Sequence, residues 1–401
     1  MSEEAERAHG RDAERDRTLP HATGTNVPVW DPHGALTLPR LEGTVETDLC
    51  VIGLGGSGLT AVLRARELGL ATVGVDAGPV AGGAAGRNGG LLLAGTTLPY
   101  HRAVQALGRE RAVRLYLRTV REIAAVVDEA PGAGDRSGSL RIAADAIELD
   151  DCEAQRRAMR EDGLPVEPYG GPEGRGLLFP EDGVVDPLMR CRAMARAALR
   201  EGAVLFGRSP VVTVDAPHDK SERVVRTRHG RVRCRHVIVA IDGGLERLLP
   251  ELANTVRTVR LQMLATAPTD HPPLPRPVYY RYGFEYWRRT PDGRIALGGF
   301  RDAGGASEAT DDPTPGGVVQ ERLTRFLRER LCVHAAITHR WAASVGFGPG
   351  TLPFVGEVRR GVWAAGGYDG TGNLIGAIAG RALAERVAGR DPDELRWFRG
   401  S

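Results

Sequence analysis

A chain of 401 residues is long enough for two domains and an ample core, and its 42% hydrophobic and 26% charged content with net charge +2 is that of an ordinary globular protein. Lys220 is the only lysine among 53 basic residues, and the arginines interleave with acids instead of forming a basic arm, which argues against a nucleic-acid partner. Five scattered cysteines suggest neither a disulfide framework nor a metal site, and no apolar run approaches bilayer-spanning length, so a cytoplasmic protein without a membrane partner is expected.

In chain order, residues 1–24 are charged and read as a disordered tail, and 25–45 as a leader laid over the first domain. "TDLCVIG" (47–53) reads as a buried strand, "GSGLTAVLRARELG" as a helix and "ATVGVD" as a second strand ending at Asp76, which together make one β-α-β unit. Apolar residues recurring every three or four positions predict a long amphipathic helix from His101 to Glu129. Residues 131–183 are rich in Gly and Pro and show only short strand-like pieces. Asp186 and Pro187 form an N-cap and first-position pair for a helix through residue 202, and a three-strand meander follows to 242. Residues 256–300 alternate like strands, "GGVVQERLTRFLRERL" predicts a helix, and strands and a turn lead to a last helix from Thr371.

Three glycine-rich segments carry the chemistry. Gly53-x-Gly55-x-x-Gly58 lies between strand and helix: Gly53 suits a tight turn, Gly55 an approach to pyrophosphate, and Gly58 close helix–strand packing. Asp76 then sits where a ribose hydroxyl is accepted, and an acid there argues against a 2′-phosphate. A tight turn without ligand is the alternative. The second segment, "GGAAGRNGG" (82–90), lets backbone run close to something bulky or is a flexible loop. In the third, "GGYDGTGNLIGAIAG", Gly372, Gly376 and Gly380 share a helical face, Asp369 or Thr371 is a candidate cap, and the first amides suit a ring that becomes anionic on reduction. A ridge serving only helix packing is the alternative there.

Together these segments resemble the flavoprotein family of D-amino-acid oxidase, glycine oxidase, sarcosine oxidase and γ-glutamylputrescine oxidase. The resemblance implies an α/β fold: a discontinuous Rossmann-like FAD-binding domain (46–100, 184–255 and 336–395) and an α+β substrate domain on an antiparallel sheet (101–183 and 256–335). It implies FAD contacts at Gly53, Gly55, Gly58, Asp76, Ala77, Ala84, Ala85, Asn88, Gly89, Gly90, Val211, Gly367, Asp369, Gly370, Thr371, Gly372 and Asn373. The departures bear on substrate. Val345 stands where glycine oxidase carries an Arg that clamps the α-carboxylate, and Leu374 where sarcosine oxidase carries a Lys for the same purpose. Residues 341–344, "WAAS", lack the cysteine of a covalent flavin link, so FAD is expected to be non-covalent. Lys220, in a hydrophilic turn, does not match the family's oxygen-activating lysine, which leaves O2 or another electron acceptor open.

The candidate substrate segment is aromatic from Tyr279 to Trp287; alternation sends Tyr280, Tyr282 and Tyr286 to one face unless Gly283 interrupts the strand. Tyr280, Tyr282, Tyr286, Arg301 and Tyr368 are the candidates for substrate contact, with Arg301 suited to a distal carboxylate; a core role for the rings is the alternative. The expected reaction is oxidation of an amine C–N bond by hydride transfer to flavin N5, giving an imine that hydrolyses. A D-amino-acid or glycine-type oxidase, with Arg301 or Arg281 replacing the clamp, and a non-catalytic FAD-binding subunit are the competing readings.

Overall fold

The structure is a computed structural model that describes residues 26–30, 36–216, 222–270 and 272–398; the expected tail 1–24 and Lys220 lie outside them. Its first sheet runs, in spatial order, Val211–Asp215, Arg223–Thr227, Gly230–Val239, Gly43–Ile52, Thr72–Val75 and Val204–Phe206. Val362–Gly366 joins the C-terminal half of Gly230–Val239 in parallel, and Phe354–Arg359 pairs antiparallel with it. The inner strands are parallel, and their C-terminal parts, such as Leu49–Ile52 and Val237–Val239, are continuous in buried apolar residues, as strand segments covered on both faces must be. One face packs under the helices Gly56–Glu67, Pro187–Arg200 and Ala377–Val387, the other against Val214 and Val225 of the first two strands and the apolar residues of 245–256. The meander and the Asp186 cap are as the sequence predicts: Asp186 Oδ1 accepts from the Leu188 and Met189 amides at 3.1 and 2.8 Å.

The second sheet runs Ile337–Phe347, Arg257–Thr266, Ile295–Gly299, Glu285–Arg289, Val278–Tyr280, Ser139–Ile142, Gly174–Phe179 and Glu167–Gly171. It is antiparallel except where Val278–Tyr280 runs parallel to Ser139–Ile142. Helix Gly317–Glu329 buries Val319, Leu323 and Leu327 on one face of it. No helix among the described residues is long and apolar enough to cross a membrane.

Three expectations are corrected here. The strand Ile337–Phe347, assigned by sequence to the nucleotide domain, pairs along its length with Arg257–Thr266 and belongs to the second sheet. The single helix expected over 101–129 is two, Tyr100–Leu107 and Arg109–Asp128, because Gly108 takes φ +81°. The region 131–183 contains a 16-residue helix, Ala146–Glu161. Asp145 caps it by accepting from the Glu148 amide at 2.8 Å, while Glu148 reaches back to the Ala144 amide at 2.9 Å.

Candidate active site

A cavity of about 1250 Å³ runs from the first sheet to the second, above the roughly 300–1,000 Å³ usual for a small-ligand pocket. Its floor at the first sheet is backbone. Gly53 takes φ +100°, and a Cβ there would lie 2.5 Å from the Ala240 carbonyl oxygen. A Cβ on Gly58 would lie 1.9 Å from the Gly53 carbonyl oxygen, so this glycine serves helix–strand packing and does not line the cavity. Helix Gly56–Glu67 has Gly55 at its N-cap and no side-chain cap, so its first amides lack a side-chain partner and line the cavity at Gly56 and Ser57. Such an end suits an anion. Asp76 accepts from the Leu54 and Gly78 amides at 2.7 and 2.8 Å, one on each oxygen, and keeps lone pairs for a further donor. Burial pushes its carboxyl above the ordinary value, against those two bonds. Ala77 and Val211 line the same end.

The 82–90 loop is built, not slack. Ala84–Gly86 is a turn of 3-10 helix, and Ala84, Ala85, Asn88 and Gly89 line the cavity. Asn88 braces the loop, donating to the Ala84 and Ala85 carbonyls at 3.0 and 2.9 Å and accepting from Gly90 N at 2.8 Å and Asn373 Nδ2 at 3.1 Å. Gly90 lies behind the lining, where a Cβ would meet the Val185 carbonyl oxygen at 2.0 Å. Arg87, which sequence reasoning passed over, donates to the Ala342 and Asn26 carbonyls, each at 2.7 Å. Trp341 Nε1 donates to the Arg87 carbonyl at 2.7 Å and Trp30 Nε1 to the Asn88 carbonyl at 2.8 Å. The two indoles meet edge-on at 6.4 Å, so residues 26–30 strap the loop to the second sheet.

At the C-terminal turn, Asp242 collects three amides: Gly367 and Tyr368 at 3.0 and 3.2 Å, and Gly346 at 3.0 Å. Asp369 accepts from Gly348 N at 2.8 Å. Burial raises both carboxyls to about 6. Neither Asp369 nor Thr371 caps the helix as expected: the Thr371 hydroxyl and amide both go to the Tyr368 carbonyl, at 2.7 and 2.8 Å. The Gly372 and Asn373 amides have no backbone acceptor, and both residues line the cavity with Asp369 and Gly370, whereas Gly367 does not. The glycine face packs on the fingerprint helix: a Cβ on Gly380 would lie 2.1 Å from the Ser57 carbonyl oxygen. Tyr368 lines the cavity, but its hydroxyl is bonded to Ser57 Oγ at 2.9 Å, which ties it to the fingerprint instead of leaving it for substrate. Asp242 was missed; an acid closing the buried run "HVIVAI" was its signal.

At the second sheet the wall is side chains. Tyr279 and Tyr286 face each other across neighbouring strands and both line the cavity, with Leu261, Tyr282, Phe284, Val345 and Phe347. The interruption at Gly283 is present, so Tyr280, Tyr282 and Tyr286 do not share one face. Arg281, Tyr282 and Gly283 all have positive φ (48°, 52° and 84°) and turn the strand back, so Tyr279 takes the inner face. Tyr280 packs behind the sheet, on Trp287 and Phe326 at 6.1 and 5.8 Å. Arg281 is committed to Glu285 and Asp302, at 2.5 and 2.8 Å, and is no substitute clamp. Arg301 lines the cavity between the Phe284 and Phe347 rings, 4.8 and 4.7 Å from their centroids, and burial lowers its pKa. Val345 and Leu374, at the two clamp positions, also line the cavity and are apolar. Glu148 was missed as well; its second oxygen accepts from the Tyr282 amide at 2.8 Å and holds the turn.

Comparison with known proteins gives matches over most of the chain. The family described as FAD dependent oxidoreductase (DAO) matches residues 48–386. A probable oxidoreductase, OrdL, of Rhizobium meliloti is 26% identical over 389 residues, covering 88% of this chain and 86% of its own. Gamma-glutamylputrescine oxidoreductase of Escherichia coli K12 is 26% identical over 387 residues, covering 87% of this chain and 85% of its own. The crystal structure of glycine oxidase from Geobacillus kaustophilus superposes with a TM-score of 0.71 at 20% identity, covering 87% of this chain and 96% of that one.

Proposed function

Since the chain belongs to the DAO family of FAD-dependent oxidoreductases, we propose that it oxidises the C–N bond of an amine to an imine, which then hydrolyses to a carbonyl compound. The flavin supplies the two-electron acceptor for hydride leaving the carbon that bears nitrogen. The observation that carries the reading is one continuous cavity joining an uncapped fingerprint helix to an aromatic wall. The amides of Gly56 and Ser57 would hold the pyrophosphate, Asp76 the ribose, and the amides of Gly372 and Asn373 the electron-rich end of the ring. Tyr279, Phe284, Tyr286 and Phe347 exclude water and favour a neutral amine at the reacting position. Val345 and Leu374 offer no partner to an α-carboxylate, whereas Arg301, with no ion pair among the described residues, would take a distal one. The name of the E. coli relative supports an amine substrate. We also place the protein in the cytoplasm, a compartment that suits five unpaired cysteines.

The unpaired Arg301 equally supports a second reading, a glycine- or D-amino-acid-type oxidase in which it takes the α-carboxylate. Amines, glycine, sarcosine and D- and L-amino acids added without air to the FAD-loaded protein test both. Bleaching of the flavin by amines supports the first reading, and bleaching by glycine or a D-amino acid the second. No bleaching by any of them points to a non-catalytic FAD-binding subunit. Return of colour in air marks O2 as the acceptor, and persistent bleaching marks another.

A further inference from the structure

Behind Tyr279 and Tyr282 lies a second chamber of about 90 Å³, which shares Leu93, Thr96, Thr97, Leu98 and both tyrosines with the main cavity. We propose that this chamber is a subsite for a second, protonated amine on the substrate, received by the Asp182 carboxylate and the Tyr116 hydroxyl. The inference rests on the amine-oxidising reading and narrows it to substrates with amino groups at both ends of a flexible chain.

Three observations carry it. Tyr116 is 3% exposed, lines the chamber, and its hydroxyl has no hydrogen-bond partner among the described residues. A buried hydroxyl left unpaired is costly unless something fills the space beside it. Asp182, also 3% exposed, accepts from the Ala94 amide at 2.8 Å on one oxygen and from the Ser139 hydroxyl at 2.6 Å on the other. Each oxygen keeps a lone pair, and no cation pairs with this carboxylate among the described residues. The third observation is the charge balance. Arg141, on the chamber wall, pairs with Asp151 at 2.8 Å and Glu148 at 3.6 Å, and Arg102 pairs with the same Asp151. The two guanidinium charges are thus matched by two carboxylates, which leaves Asp182, when ionised, as the unmatched negative charge. His101, 3.3 Å from Asp151, is kept toward its neutral form by burial and does not redress the balance. A buried carboxylate without a counter-ion is unfavourable, and an ammonium removes the imbalance. An alkylammonium end fits the volume. Burial raises the Asp182 carboxyl to about 7: without a cation beside it the group holds a proton near neutral pH, and an ammonium that pairs with it draws it to the carboxylate form.

The test uses FAD-loaded protein, α,ω-diamines of three to six carbons, and the monoamine and amino alcohol of each length. Anaerobic flavin reduction is followed against concentration, and binding is measured in parallel by calorimetry. At least one diamine is expected to half-saturate at a concentration about tenfold lower than its monoamine, and Tyr116→Phe and Asp182→Asn are expected to shrink that ratio. Should Asp182→Asn fail to fold, Tyr116→Phe decides alone. Equal behaviour of monoamines and diamines overturns the subsite while leaving amine oxidation standing, as does an amino alcohol that matches its diamine, since a neutral donor or a displaced water would then suffice. If no amine reduces the flavin, the oxidation reading fails separately. Calorimetry then decides the chamber: a diamine bound by wild type and lost in Tyr116→Phe supports it, and no diamine binding overturns it.

Discussion

The two ends of the cavity are built from different parts of the chain's chemistry. At the first sheet the surface is main chain: Gly53 and Gly55, the amides at the start of helix Gly56–Glu67, and the amides of Gly372 and Asn373. At the second sheet it is side chain: Tyr279, Tyr286, Phe284, Phe347 and Arg301, presented by strands and one irregular turn. A backbone surface demands small residues at fixed spacing and tolerates almost no substitution. A side-chain surface can be redrawn one residue at a time, which is how one fold serves many substrates. The comparison predicts that substitutions at the first end abolish cofactor binding, whereas those at the second change which molecule is accepted.

The largest effect is expected from Gly58→Ala. The new Cβ would lie 1.9 Å from the Gly53 carbonyl oxygen, backbone against backbone, so strand and helix must separate. Overpacking of this kind costs about 3 kcal/mol of stability at the upper end of its usual range, and the displaced helix end should lose its hold on the flavin. The ratio of flavin to protein absorbance after gel filtration measures it, and a variant that keeps a full complement of flavin would break the contrast.

Arg301→Gln examines the other end. Arg301 makes no hydrogen bond or ion pair among the described residues, so the melting temperature should hold while a ligand bearing a distal carboxylate weakens about tenfold. Flavin content should stay that of wild type. A melting temperature that falls with unchanged ligand affinity would make Arg301 a packing residue for Phe284 and Phe347.

What the sequence made legible follows the same division. Gly53, Gly55, Gly58 and Asp76 could be read because each answers a local requirement of a turn, a helix end or a strand end. The three-residue turn at Arg281–Gly283 was half legible: Gly283 marked an interruption, but Arg and Tyr seldom take positive φ, and simple alternation put Tyr280 where Tyr279 stands. The pairing of Ile337–Phe347 with Arg257–Thr266 joins segments some 80 residues apart, and no local pattern carries it. Helix Ala146–Glu161 was readable in principle. The Asp145 and Glu148 spacing was present, but the Gly-rich surroundings outweighed it.

Asp242 joins the two ends, taking amides from Gly346 on one sheet and from Gly367 and Tyr368 on the C-terminal turn. Burial raises its folded pKa to about 6, above the ordinary carboxylate value near 3.8. The folded state therefore binds this proton more readily than the unfolded chain. Its contribution to stability is fully present below pH ~4 and is lost as pH rises to about 6. Asp242→Asn removes the titration, so the stability of wild type relative to the variant should fall between pH 4 and 6 and level off above. Thermal melts of both proteins across that range check the sign, and a difference that grows with pH would mean the three amides outweigh burial.

The smallest effect is expected from Asp145→Ala. The side chain caps helix Ala146–Glu161 through one bond to the Glu148 amide, and losing such a cap costs about 1 kcal/mol. Glu148 itself keeps its bonds to Ala144 and Tyr282, so the turn that shapes the substrate wall stays in place and ligand affinity should not move. Glu148→Ala is the control that separates support of the helix from support of the turn. It removes the acceptor for the Tyr282 amide and should disturb substrate binding as well as stability. If Asp145→Ala alone altered ligand affinity, the second end would depend on helix stability and not on the Glu148 contact, and the residue-by-residue freedom attributed to that wall would have to be given up.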